Sequence, residues 1–230
     1  MKKIVVLTGA GVSAESGLST FRDAGGLWEG HDVMEVASPE GWRANKELVL
    51  KFYNERRAQL ENAQPNAAHY AIAELEAKYD VTVITQNVDD LHERAGSSNI
   101  IHLHGELVKA RSSVDEHLLY EIGYKEICIG DKCDKGSQLR PHVVWFGEMV
   151  PMIEVAAEVV SEADMLIVVG TSLVVYPAAS LVDFTQQGIP IYIIDPVMPD
   201  MYSFPDNIKF IEEKAAKGMP ELNEELLKSE

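Results

Sequence analysis

The 230-residue chain has little of several things, and each shortage removes a class of protein. Two cysteines, Cys128 and Cys133, are too few for the disulfide framework of a secreted domain. Basic residues are outnumbered, 20 Lys and Arg against 37 Asp and Glu. The resulting net charge of −17 argues against nucleic-acid partners and anionic membrane surfaces. No apolar run reaches the roughly 20 residues of a membrane span, and the start shows no signal-peptide pattern. Internal repeats and low-complexity tracts are absent. The expectation is a cytoplasmic globular protein, and 46% apolar with 25% charged residues fits it. The length allows one large domain, or a domain carrying a smaller insertion.

What is present begins at once. Ile4-Val5-Val6-Leu7 is apolar and rich in β-branched residues, as a buried parallel strand requires. It runs through Thr8 into Gly9, Gly11 and Ala14, a G-x-G-x-x-A pattern ahead of helix-compatible sequence. Glycines there permit a tight turn and let backbone N–H groups approach a pyrophosphate, which the next helix N-terminus also favours. An ordinary tight strand-to-helix turn would use the same residues. A dehydrogenase built this way would place an Asp or Glu at the end of a second strand roughly 20 residues on. Here Phe21 to Gly30 is instead a glycine-rich loop carrying Phe21, Arg22 and Trp28. Such a loop can fold over a bound ligand and exclude water.

Further along, Pro39 to about Gln64 is helical in pattern, with Trp42, Leu48, Phe52 and Leu60 near the helical period. Tyr53 and Arg56 are three apart and share a helix face, which by spacing alone suits a surface aromatic beside a solvated cation. A second helix is predicted over Asn66 to Tyr79, with Ala67, Ala71, Ile72 and Leu75 inward. Strands follow at Val81 to Thr85, Asn99 to Leu103, Met165 to Val169 and Ile189 to Ile194, with a helical stretch over Pro177 to Gln187. Strands alternating with helices predict an α/β fold, a Rossmann-like doubly wound parallel sheet. In such sheets ligands sit at the strands' C-terminal ends, here Gln86-Asn87-Val88-Asp89, His104 and Gly170-Thr171-Ser172. Residues 106–139 break the rhythm and hold both cysteines, so they are assigned to an insertion. The expected division is a dinucleotide-binding domain of residues 1–28, 65–105 and 140–230, with 29–64 and 106–139 forming a small domain over the strand ends. The acidic stretch Glu221 to Glu230 is expected to be a solvated amphipathic helix.

Taken together, several stretches resemble the sirtuins, the NAD-dependent protein lysine deacylases. They are Gly9 to Gly17 with Thr20-Phe21-Arg22, Thr85 to His92, His104-Gly105, Arg140-Pro141-His142-Val143-Val144-Trp145-Phe146-Gly147-Glu148 and Gly170 to Ala178. The resemblance spans nearly the whole chain in order. It implies NAD as co-substrate, with Gly9, Ala10, Gly11, Ser13 and Ala14 under the phosphates and Phe21, Arg22 and Trp28 on the covering loop. Gln86, Asn87 and Asp89 would line the nicotinamide pocket. Gly170, Thr171 and Ser172 would hold the adenosine side, with Ala215 facing the adenine. Asp195 stands where the family usually has Asn, and would accept from ribose hydroxyls. His104 matches the catalytic histidine, and Asn87 would share the catalytic centre. In the implied reaction the acyl-lysine oxygen attacks the nicotinamide ribose C1′, nicotinamide leaves, and a base frees a ribose hydroxyl to attack the imidate. An imidazole that titrates near neutrality suits that last step. His102, two residues earlier, is read as a polar strand-edge residue and His92 as structural.

The resemblance also implies partners: acyl-lysine-bearing proteins or peptides. Val144, Phe146 and Gly147 would take such a peptide as an added strand, although Val143 to Phe146 equally suits a plain buried strand. In sirtuins that prefer acidic acyl groups a Tyr-x-x-Arg pair lies beside the acyl pocket, and Tyr53 and Arg56 match it. An Arg fork can take a succinyl, malonyl or glutaryl carboxylate in two parallel bonds, with the Tyr hydroxyl adding a third. The family's zinc cysteines are missing. Ser112 and Asp115 stand at the first pair, and only Cys133 and Lys135 fall near the second. No zinc is expected, and Leu118, Leu119, Tyr120, Ile122, Tyr124 and Ile127 are the candidates to hold the insertion by packing. Mono-ADP-ribosyl transfer and a non-catalytic NAD-sensing module are the competing readings. A monomer is slightly favoured.

Overall fold

The computed structural model describes residues 1–19, 27–28, 30–198 and 207–228. In chain order the elements are β1 (Lys3–Thr8), β2 (Leu27–Trp28), β3 (His31–Asp32), α1 (Val33–Val36), α2 (Pro39–Ala44), α3 (Lys46–Asn62) and α4 (Ala67–Glu74). Then come β4 (Asp80–Thr85), α5 (Leu91–Ala95), β5 (Ile100–His102), β6 (Gly105–Ser112), β7 (Leu119–Glu121) and β8 (Leu139–Val143). The chain closes with α6 (Ile153–Ser161), β9 (Met165–Val169), β10 (Ile191–Ile194), β11 (Ile208–Ile211) and α7 (Ala215–Lys228).

The main sheet is parallel, in the order β11-β10-β9-β1-β4-β5. Counting only its own strands, that is the doubly wound order 3-2-1-4-5-6, which reverses between β1 and β9. One face packs on α4 and α7 through Ile4, Val6, Ile72, Leu75, Met219 and Leu222. The other packs on α6 and a 3-10 stretch, Ala178–Phe184, through Val5, Leu7, Val160, Val168 and Leu181. Strands buried on both faces explain the unbroken apolar runs that predicted them.

A second core joins α1, α2 and α3 to an antiparallel three-stranded sheet, β7-β6-β8. The segment assigned to an insertion, a degenerate zinc-ribbon-like stretch in expectation, contains most of this sheet. Its longest strand, β6, buries alternate residues only in part and carries Glu106, Lys109 and Arg111, which hid its periodicity. β8 pairs with β6, so residues 139–143 belong to this smaller sheet by hydrogen bonding. Of the residues expected to hold the insertion, Ile127 is buried and Tyr120, Ile122 and Tyr124 pack against the core, but Leu119 faces solvent.

The predicted helices needed local corrections. The helix over 39–64 is broken at Asn45, whose side chain accepts from Leu48 N and caps α3, so α2 and α3 are separate. In α4 it is Ala68, not Ala67, that faces the core, because Asn66 caps the helix and sets the phase one residue later. α7 matches the acidic amphipathic helix, with Leu222 and Leu226 inward.

At the sheet's reversal point two loops interlock. Gly170 has φ +63°, and a Cβ there would lie 2.3 Å from Val12 N. Gly170→Ala should lower the melting temperature by about 4–8 °C, from roughly 2 kcal/mol of left-handed strain and overlap. Gly17→Ala, at φ +85° in open space, should cost only about half as much. Thermal melts of the two variants check the order.

Candidate active site

A cavity of about 610 Å³ opens where the strand order reverses. From the sheet's loops it is lined by Gly9, Ala10, Gly11, Ser13, Ala14, Gln86, Asn87, Asp89, His104, Gly170, Thr171, Ser172, Asp195 and Ala215. Trp28, Tyr53, Arg56, Val144, Phe146 and Gly147 line it from the smaller core's side. Every candidate residue drawn from the sequence that falls among the described residues is thus gathered around one space. Phe21 and Arg22 lie outside the described residues.

The loop after β1 differs from its expected form. Two short 3-10 turns, Ala10–Val12 and Ala14–Ser16, replace the helix, so no long helix dipole points into the cavity here. Gly9 N donates to Val169 O at 3.1 Å and Gly11 N to Gly170 O at 2.8 Å. Cβ atoms on Gly9 and Gly11 would lie 2.6 Å from Thr171 Cβ and 2.7 Å from Gly170 Cα. The two glycines act by close approach to the loop after β9, not by offering their own N–H groups to a ligand. Glu15 Oε2 accepts from Ala216 N at 2.9 Å, tying this loop to the start of α7 beside Ala215.

Behind the loop lies a buried polar network. Asn87 Nδ2 donates to Gly9 O at 3.1 Å and to Ser13 Oγ at 3.2 Å, and Ser13 Oγ donates to Asp89 Oδ2 at 2.9 Å. Burial pushes the Asp89 carboxyl up to about 6, against the pull of the Ser13 hydrogen bond. His69 accepts from Asn66 N at Nδ1 and meets Ser13 Oγ through Nε2, while His92 Nε2 bonds Thr8 Oγ1 at 3.1 Å. Burial depresses these two imidazoles to about 4 and about 3, so both are neutral. Sequence reasoning passed over His69, since a lone histidine on an apolar helix carries no signal of its partners.

His102 and His104 stand in opposite states. His104 Nδ1 lies 2.9 Å from Gln86 O, an acceptor only, so Nδ1 carries the proton and Nε2 keeps a free lone pair. Burial lowers its pKa and holds it as the neutral base. Both ring nitrogens of His102 face acceptors, Asn87 O at 3.3 Å and Glu93 Oε1 at 2.6 Å. Burial works against a charge there, but the Glu93 and Glu106 carboxylates outweigh it and raise the pKa. Acceptors at both ring nitrogens favour the protonated form of His102, which braces the Asn87 carbonyl, a firmer role than a strand-edge polar residue.

At the far end of the cavity Tyr53 is fully buried and its hydroxyl accepts from Trp145 Nε1 at 3.0 Å. The Arg56 guanidinium lies over Phe52, 3.9 Å from the ring centroid, and 5.9 Å from the Trp28 centroid. The neighbouring Arg57 is buried within the smaller core, donating to Asn54 Oδ1 and Leu107 O. The segment expected to add a peptide strand is a turn. Val144 N, Trp145 N and Phe146 N donate to His104 O, Glu148 Oε2 and Ala37 O respectively. Phe146 and Gly147 are exposed at its tip.

A model of the Sir2 family matches residues 9–177. The chain belongs to the Sir2 family. This sirtuin is 55% identical over 227 residues to a Helicobacter pylori (strain ATCC 700392 / 26695) NAD-dependent protein deacylase, covering 99% of this chain and 98% of that protein. It is 52% identical over 232 residues to a Bacteroides thetaiotaomicron protein of the same description, covering 99% of both. Among solved structures it resembles a Sir2 homologue–NAD complex, with TM-score 0.87 and 46% identity over 99% of this chain and 90% of that one. It also resembles a Sir2 variant bound to deacetylated p53 peptide and 3′-O-acetyl-ADP-ribose, with TM-score 0.80 and 31% identity, covering 96% and 92%.

Where other sirtuins are expected to carry zinc, this sirtuin has donors that do not suit it. Ser112 Oγ and Cys133 Sγ each lie 3.0 Å from Ser137 Oγ, and Lys135 Nζ donates to Asp115 Oδ2 at 2.7 Å. One thiol beside hydroxyls and an ammonium is not a tetrahedral zinc set. Among the described residues, no three His, Cys, Asp or Glu side chains cluster to hold a metal.

The neutral buried imidazoles set a pH dependence. The unfolded chain takes up a proton at His92 near pH 6.5, and the folded chain does not until near pH 3. That stability is complete above pH 6.5 and is lost as pH falls through the window, by about 1.4 kcal/mol per pH unit. Asp89, with its raised pKa, acts oppositely, its contribution being lost as pH rises toward 6. Denaturant unfolding between pH 6 and 4 should show His92→Gln with a shallower fall than the wild type, by one proton. An unchanged slope would contradict a neutral His92.

Proposed function

We propose that this sirtuin is an NAD-dependent protein-lysine deacylase that prefers acidic acyl groups, succinyl, malonyl and glutaryl, over acetyl. Its products would be nicotinamide, O-acyl-ADP-ribose and free lysine. The observation carrying the reading is that Tyr53 and Arg56 line the same cavity as His104 and the glycine loops. The H. pylori and B. thetaiotaomicron relatives, both described as NAD-dependent protein deacylases, support its coarser part. NAD would supply the ribose carbon that is attacked and the hydroxyl that takes the acyl group. The loops at Gly9–Ala14 and Gly170–Ser172 would hold its phosphates and adenosine, with Asp195 at a ribose and Ala215 at the adenine.

Within that scheme the residues have distinct tasks. His104 Nε2, left free by the Nδ1–Gln86 bond, takes the ribose-hydroxyl proton. Asn87 and Asp89, locked through Ser13, present a polar wall to the nicotinamide. Arg56 supplies a positive charge in the cavity wall for an anionic acyl group, in a protein of net charge −17. The acylated protein would reach the cavity past Phe146 and Gly147. The N–H groups of Val144, Trp145 and Phe146 are engaged internally, as is the Trp145 carbonyl, which accepts from Glu148 N, so a peptide backbone would have to use other groups of this turn.

Nicotinamide release should be faster with a succinyl-lysine peptide than with its acetyl counterpart, and slow without peptide. Arg56→Met should reduce the succinyl-to-acetyl ratio of kcat/KM by tenfold or more, the scale of a lost charged hydrogen bond (about 1.5–3 kcal/mol). Equal loss on both peptides would sink the acidic preference. Release without peptide, with label transferred to protein, would favour mono-ADP-ribosylation instead.

The smaller sheet is proposed to stand without zinc. Elemental analysis of the purified protein should find no stoichiometric zinc, and a chelator should leave the melting temperature unchanged. One tightly bound zinc per chain would overturn this.

A further inference from the structure

The indole nitrogen of Trp145 is a donor only. In its 3.0 Å bond with Tyr53, the tyrosine oxygen must therefore be the acceptor. The phenolic proton is left to point elsewhere, and no hydrogen-bond acceptor for it is found among the described residues. Tyr53 is fully buried in the cavity wall, and Arg56, three residues on in α3, lines the same cavity. Burial also pushes the phenol's pKa up, so the hydroxyl keeps its proton.

We propose that Trp145 is a specificity-determining positioning residue. By occupying the acceptor side of Tyr53 Oη with its N–H, it turns the hydroxyl proton toward the acyl end of the cavity, as a donor for an acyl carboxylate. An acetyl methyl has no use for that donor. This rests on the acidic-acyl reading and adds to it the device that orients the tyrosine.

Trp145 is held for the task from several directions. It is 2% exposed, with Trp42 5.8 Å away between centroids on one side. The Arg140 guanidinium lies 3.3 Å from the ring centroid. A cation against the π-face draws electron density from the indole and strengthens its N–H as a donor. Arg140 is fixed in turn by Glu148, through 2.7 and 3.1 Å bonds, and by Val143 O at 2.9 Å. Glu148 Oε2 also accepts Trp145 N at 2.8 Å and Arg111 at 3.0 Å. One carboxylate thus anchors both the backbone of Trp145 and the cation on its ring. The sequence reading chose Val144 and Phe146 as the working residues and passed over the tryptophan between them.

The test is a double-mutant cycle on the full chain, Trp145→Phe and Tyr53→Phe, read as the ratio of kcat/KM for succinyl-lysine and acetyl-lysine peptides. Trp145→Phe should lower the ratio about tenfold, through KM for the succinyl peptide. In a Tyr53→Phe background it should lower the ratio no further. If Trp145→Phe folds poorly, benzothienylalanine at position 145 keeps the bicyclic shape without the N–H and should give the same drop. An unchanged ratio, equal loss on both peptides, or independent multiplying effects of the two substitutions would overturn the proposal. If Tyr53→Phe and Arg56→Met both leave the ratio unchanged, the acidic-acyl reading itself fails. If they lower it and Trp145→Phe does not, only the positioning role fails.

Discussion

Everything in the site depends on how closely the loops after β1 and β9 approach each other. No side chain separates them at Gly9, Gly11 and Gly170, and main-chain hydrogen bonds join them directly. This contact fixes Thr171, whose hydroxyl accepts from Gln86 Nε2 at 3.2 Å. Gln86 in turn offers its carbonyl to His104 Nδ1 and so decides which nitrogen of the imidazole is basic. On the other side the same loop delivers Ser13 to Asn87 and Asp89. The tautomer of His104 and the shape of the polar wall both trace to loops held by this one steric interlock.

The sheet was legible in the sequence because strands buried on both faces must be apolar throughout, and Ile4–Leu7 and Leu166–Val169 are. The site was legible because its residues fall at the ends of those strands. What escaped was whatever depends on partners distant in the chain. The strand at Gly105–Ser112 escaped because its ion pairs, Arg111 with Glu148 and Lys109 with Glu106, mask the alternation expected of a half-buried strand. The break at Asn45 could have been found, since Asn followed by a helical run is a capping signal. The engagement of the Gly9 and Gly11 N–H groups could not, because it depends on a loop some 160 residues away.

The pair His102 and His104 shows the limit of residue type as evidence. Two residues apart, one imidazole is pushed toward its charged form and the other toward its neutral form. The difference lies in what each ring faces: a carboxylate on Glu93 for the first, a single carbonyl for the second. Buried charge survives where acceptors surround it and vanishes where they do not. Arg57 sits inside the smaller core with its terminal nitrogens donating to Leu107 O and Asn54 Oδ1.

The cavity's two ends belong to different hydrophobic cores. Tyr53 and Trp145 are built into the core of α1–α3 and the small sheet, whereas the glycine loops sit on the layers around the main sheet. The division is not complete, since Leu91 is buried in the smaller core, and Leu18 and Val88 from the loops after β1 and β4 pack against it. The cavity is thus a wall shared by two cores, each fixing the side chains on its own side.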